Sequence, residues 1–101
     1  MRVDIKLVDR GQEGELILTG KLDSNNAVQV GELFLKTADR FKDITLNLSG
    51  LKYISSAGIR SLKKLYMKVR SNGGELSIIN ASQNIQEVLE MIGYAEMFNL
   101  K

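Results

Sequence analysis

Apolar and charged residues alternate near the start of the chain, with Val3, Ile5 and Leu7 interleaved with Asp4 and Lys6. A period of two is the pattern of a strand with one buried face. DRGQEG then supplies turn residues, and ELILTG resumes an apolar strand ending at Gly20. So short a connection between two strand patterns predicts an antiparallel hairpin. After KLDSNN the period lengthens: Ala27, Val30, Phe34, Thr37, Ala38 and Phe41 recur at helical spacing, with Asp23 or Ser24 available as the cap.

The alternation returns in DITLNLSG, where Ile44, Leu46 and Leu48 are set against Thr45 and Asn47. Beyond the doublet Ser55–Ser56 a second helix is predicted. Ile59, Leu62, Leu65, Tyr66 and Val69 lie on one side of it, and Arg60, Lys63, Lys64, Lys68 and Arg70 on the other. SNGG ends this helix, since Asn and Gly tolerate the left-handed backbone that a helix end requires. ELSIINA reads as a short strand. Ser82 then caps a last helix with Ile85, Val88, Leu89 and Ile92 inward, stopped by Gly93, and the apolar tail YAEMFNL is expected to pack back on the body.

The order β-β-α-β-α-β-α predicts an α/β fold in which strand–helix–strand units form parallel pairs. The opening hairpin makes the β-sheet mixed. Lys6, Thr45 and Asn47 would be costly on a strand covered on both faces, so the helices are expected mainly on one face. No linker or repeat interrupts the chain, and residues 1–101 read as a single domain.

Composition then removes chemistries. Without cysteine or histidine there is no disulfide, thiolate metal site or Cys nucleophile, and the usual near-neutral base is missing. A net charge of +2 is too small to argue for nucleic acid or a membrane surface. The five cations of the second helix are read as its solvated side. Three Phe, three Tyr and no Trp, mostly at core-like positions, leave no stacking surface for bases. Asp23, Asp43 and Glu75 do not make a clustered acidic motif for Mg²⁺, and Asp43 and Glu75 read as solvated loop charge. The amino-terminal stretch lacks a signal-peptide core and no window is long and apolar enough for membrane insertion, so the expected location is cytoplasmic.

The junction KYISSAGI holds the remaining chemistry. One serine at a strand-to-helix turn is enough for an N-cap, worth about 1 kcal/mol. A second can face outward. Ala57 and Gly58 keep the backbone approachable there, at some cost in helix propensity. A phosphate at this helix start would be tolerated locally while adding about −1.5 to −2 charge. The chain offers no evident base to activate either hydroxyl, so any transfer must be catalysed by a partner.

LTGKLDSNNA at 18–27, ITLNLSGLKYISSAGI at 44–59 and GGELSIINA at 73–81 together resemble the STAS domain. The similarity is to its stand-alone bacterial members, the anti-sigma factor antagonists of partner-switching systems. In that family the central motif resembles Asp-Ser-Ser/Thr-Gly-Leu, and its first serine is phosphorylated. The resemblance implies that Ser55 stands at the Asp, Ser56 at the phosphorylated serine, Ala57 at the next position and Gly58 at the Gly. Asp23 matches the acidic residue of a Leu-Thr-Gly-x-Leu-Asp motif on the partner-facing surface, where Ser24, Ser55, Ala57, Gly58 and Arg60 are also expected. Ser55 and Ala57 depart from the best-known pattern, and Ser55 is a second candidate acceptor.

The implied function is a switch. The unphosphorylated protein would bind a GHKL-type serine kinase that is also an anti-sigma factor. Phosphorylation would release it, and a PP2C-type phosphatase would restore it. ATP and Mg²⁺ would belong to the kinase, leaving no cofactor for this chain, which would not itself be an enzyme. The alternative is a STAS docking module without a phosphorylation cycle, in a transport or signalling complex. A separate expectation rests on the second helix: its first turns, with Arg60 and Lys63 or Lys64, would help dock an acidic partner surface.

Overall fold

The hairpin forms as the alternation requires. In the computed structural model, which describes residues 3–91, 93, 99 and 100, β1 (Val3–Arg10) runs antiparallel to β2 (Glu13–Leu22). Their register extends from Val3 opposite Gly20 to Arg10 opposite Glu13. The chain continues as α1 (Ala27–Arg40), β3 (Asp43–Ile54), α2 (Ser56–Ser71), β4 (Leu76–Ile79), α3 (Gln83–Met91) and β5 (Asn99–Leu100). The sheet order is β1-β2-β3-β4-β5, and every pair after the hairpin is parallel.

Leu16, Leu46 and Ile78 stand opposite one another across β2, β3 and β4 and are all fully buried. A single core cluster joins this sheet face to Phe34 of α1, Leu62 and Leu65 of α2, and Ile85 and Leu89 of α3. The alternate row, Ile17, Asn47 and Ile79, is only half-buried. Helices therefore cover one face. On the other, polar side chains satisfy one another: Thr45 Oγ1 donates to Glu13 Oε2 at 2.8 Å and Asn47 Nδ2 to Glu15 Oε2 at 3.0 Å. Arg10 pairs with the other oxygen of Glu15 at 2.7 Å. The hydrogen bond from Asn47 and then that from Arg10 hold the buried Glu15 carboxyl below the usual carboxylate range, against the opposing effect of burial.

Three departures from the sequence pattern matter. First, the strict alternation stops at Leu48, yet β3 continues through Leu51–Ile54. Second, Lys68 is not a free outer charge: its ammonium lies 3.3 Å from Asp39 of α1. Third, Asp43 is not a solvated loop residue. It opens β3, and its Oδ1 accepts the Glu75 N–H at 2.9 Å, tying the approach to β4.

The predicted stop of α2 is a complete Schellman motif. Gly73 takes φ +78°, its N–H donates to Arg70 O at 3.0 Å, and the Gly74 N–H donates to Val69 O at 2.9 Å. Ser82 Oγ accepts the Ile85 N–H at 3.3 Å, as a cap of α3 does. Of the apolar tail, Asn99–Leu100 pair with β4 as a strand, while residues 94–98, like Ile92, lie outside the described residues.

Candidate functional site

Two irregularities in β3 create the site. Ile17 lies opposite Asn47, and an unbroken register from there would put Leu22 opposite Lys52. Register shifts between Ile17 and Thr19 and between Gly20 and Lys21 each insert an extra residue in β3. Leu22 consequently lies opposite Ile54, and the buried positions of β3 pass from Leu48 to Leu51 to Ile54. The carboxyl ends of β2 and β3 are thereby level. Asp23 leaves one strand where Ser55 leaves the other, and the Ser55 N–H donates across to Leu22 O at 2.9 Å.

The two serines divide their tasks. Ser55 is the N-cap of α2, with extended backbone at φ −92° and ψ 172°, and its Oγ accepts the Gly58 N–H at 3.1 Å. Ser56 is the first helical residue and its side chain is exposed. Asp and Ser are nearly equivalent N-caps, because both present an oxygen to the free N–H groups of the first turn. Serine at the position where the resembling motif carries Asp therefore preserves the cap while removing a charge. Ser55 is engaged in the cap; Ser56 is exposed.

Gly58 is explained by contact rather than by turn geometry. A Cβ there would lie 2.8 Å from Leu22 Cγ, 2.9 Å from Ile54 Cγ1 and 3.1 Å from the Leu22 carbonyl oxygen. Only glycine lets the first turn of α2 sit directly on the ends of β2 and β3. Ala57 is half-buried beside it. Arg60 is exposed four residues beyond Ser56, hence on the same side of the helix, and Lys63 continues that side. The predicted Arg60–Lys63 edge thus begins at Ser56, whereas Lys68 is drawn toward α1.

The expectation that Asp23 or Ser24 caps α1 is not met. Asn26 occupies the cap position without a side-chain cap bond, and a turn begins first, with the Ala27 N–H donating to Asp23 O at 2.9 Å. Asp23 instead stiffens the loop, its Oδ1 accepting the Asn25 N–H at 2.9 Å. Asn26, which the sequence reading passed over, braces the same loop. Its Oδ1 accepts the Asp23 N–H and its Nδ2 donates to Lys21 O, both at 2.9 Å. The asparagine pair in DSNN was the available signal, since Asx side chains organise turns in this way. Ser24 and Asn25 remain exposed at the tip.

Ser61 was also missed. It is buried on α2, and its Oγ donates to Ala27 O at 2.8 Å, joining α2 to the start of α1. A search for apolar periodicity overlooks a buried hydroxyl. Asp23 and Asp43 sit at opposite ends of the β2–β3 pair, so they share no site with each other. Among the described residues no three acidic groups are placed to hold a metal ion, and no helix is long and apolar enough to cross a membrane.

An exposed hydroxyl at a capped helix start, raised on the rim of a mixed sheet, defines a small α/β domain that presents a serine rather than enclosing one. The chain belongs to the STAS domain family, whose profile matches residues 6–101. It is 34% identical over 89 residues to BtrV of Bordetella bronchiseptica, which is named as an anti-sigma factor antagonist; the match covers 85% of this chain and 77% of that protein. An anti-sigma factor antagonist from Mycobacterium paratuberculosis superposes with a TM-score of 0.86 at 17% identity, over 98% of this chain and 85% of that one. The Bacillus cell fate determinant SpoIIAA in its phosphorylated form superposes with a TM-score of 0.77 at 16% identity, over 97% and 91% of the two chains.

Proposed function

We propose that this protein is an anti-sigma factor antagonist of the partner-switching kind, with Ser56 as its phosphate acceptor. The observation that carries the reading is the separation of roles at the junction. Ser55 is occupied in capping α2, while Ser56 is exposed beside the Asp23 loop. The names of the relative and of the solved structures support the antagonist role, and the existence of a phosphorylated form of SpoIIAA supports a phosphorylation cycle.

The chemistry is phosphoryl transfer. The Ser56 Oγ attacks the γ-phosphorus of ATP, the bond to the β-phosphate oxygen breaks, ADP leaves, and the hydroxyl proton passes to a base of the partner kinase. This chain contributes the nucleophilic oxygen and the docking surface. The kinase, of GHKL type, supplies ATP and Mg²⁺, and a PP2C-type phosphatase hydrolyses the phosphoserine. Unphosphorylated, the Ser56 surface engages the kinase, with Asp23, Ser24, Ser55, Ala57 and Arg60 around it, and draws it from its client. Gly58, expected on that surface, is instead buried against Leu22 and Ile54 and shapes it from beneath. Phosphorylated, it places a dianion in that contact, which costs several kcal/mol unless basic groups of the partner meet it.

Incubation with ATP, Mg²⁺ and the cognate kinase tests the assignment. Mass spectrometry is expected to find one phosphate on Ser56, and Ser56→Ala to abolish it. Labelling of Ser56→Ala at the wild-type level would sink the assignment.

A further inference from the structure

The first strand is an edge. Among the described residues β1 pairs with β2 on one side only, so its other side offers backbone donors and acceptors along Val3–Arg10. On its core face this edge borders a groove of about 520 Å³ lined by Val3, Ile5, Asn25, Asn26, Gln29, Val30 and Leu33. Leu7 on the strand and Leu33 on α1 remain 38% and 40% exposed, continuing the apolar strip on the same side. Such a strip beside an open edge is suited to an added strand, which would satisfy the backbone groups and cover the leucines.

We infer that the occupant is a second copy of this chain, pairing β1 with β1 antiparallel about a two-fold axis at Ile5. The charge pattern selects both partner and register. Antiparallel pairing of identical strands sets residues opposite one another symmetrically about the axis. An axis at Asp4 opposes two aspartates, and an axis at Lys6 opposes two lysines. An axis at Leu7 sets Ile5 against Asp9, which is already paired with Arg40 at 2.7 Å, and Lys6 against Val8. Its one attractive pair, Asp4 with Arg10, draws on a guanidinium already held by Glu15 at 2.7 Å. An axis at Ile5 sets Asp4 against Lys6 twice and Val3 against Leu7 twice.

Each of those four contacts matches like with like in polarity. The same axis keeps the helical layers of both copies on one side of a continuous sheet. Val3, Ile5 and Leu7 of the two copies then form one apolar row bordered by both grooves. A lone lysine on an edge strand opposes pairing in general. Asp4 and Lys6 together admit this register and penalise its neighbours.

The test is sedimentation equilibrium of the whole chain from micromolar to millimolar concentration, with charge variants at two exposed positions. Wild type is expected to approach twice the mass of the chain. Asp4→Lys and Lys6→Asp each turn two attractive cross-strand pairs into two repulsive ones, raising the dissociation constant about tenfold or more. Mixing the two variants restores the dimer as a heterodimer, because each carries the charges that the other lacks. The double variant Asp4→Lys/Lys6→Asp dimerises alone. Far-ultraviolet circular dichroism is expected to be the same for all four proteins. A wild type that stays monomeric throughout would assign the edge to another partner and overturn the inference. Single variants that dimerise as well as wild type, or a mixture that does not associate, would overturn it equally.

Discussion

The Ser55 N–H reaches across to the carbonyl of Leu22 at 2.9 Å, tying the start of α2 to the end of β2. One residue thus closes the sheet end through its backbone and caps the helix through its side chain. The consequences of that double role can be measured.

Ser55→Ala removes only the cap and is expected to cost about 1 kcal/mol in urea or thermal unfolding. Ser55→Asp is expected to retain wild-type stability, since a carboxylate accepts the Gly58 N–H as well. Ser56→Ala should change stability by less than about 0.5 kcal/mol, as expected for an exposed position that holds no cap. Equal losses for Ser55→Ala and Ser56→Ala would contradict this division of roles.

Gly58→Ala tests the close approach of α2 to the strand ends. Alanine favours the helix by up to about 1 kcal/mol in intrinsic propensity. Its Cβ, however, would meet Leu22 and Ile54 at under 3.0 Å, and overpacking of that kind costs about 1–3 kcal/mol. Net destabilisation is the expected result, read as a lowered urea midpoint. Net stabilisation would show that the junction can spread.

Phosphoserine installed at position 56 is expected to leave the melting temperature unchanged or slightly raised at low salt. A negative charge in the first turn of a helix contributes about 0.3–1 kcal/mol, and salt screens it. Release of a partner then follows from charge in the interface, with the domain intact. A fall of several degrees on phosphorylation would point to local unfolding instead.

Glu15 gives the open sheet face a pH dependence. Its folded carboxyl titrates below the unfolded value of about 4.3, so its stabilisation is complete above that pH. It is lost as pH falls from there through the lower folded value, as the unfolded chain takes up the proton first. Glu15→Gln is expected to reduce stability at neutral pH and to flatten the decline of the urea midpoint as pH falls below about 5. An unchanged slope would show that other carboxylates govern acid unfolding.

Much of the architecture was legible because local rules agreed with the fold. Alternation marked β1 and the first half of β3, helical spacing marked Val30 and Phe34 or Leu62 and Leu65, and SNGG marked a helix end that closes as a Schellman motif. Several misreadings fell where a polar side chain serves a partner distant in the sequence. Ser61 donates to Ala27, Asp43 accepts from Glu75, and Lys68 pairs with Asp39. Spacing along the chain cannot reveal such partners.

By itself the sequence determined that α2 begins at the serine doublet and that the chain carries neither histidine nor cysteine. Both follow from residue identity and near neighbours. Only the tertiary structure decided which serine is spent and what stands beside the other. Two extra residues in β3 shift its register against β2, and a shift in register is a relation between strands, settled by pairing and burial. That shift brings Asp23 level with the junction, commits Ser55 to the helix cap and leaves Ser56 in solvent.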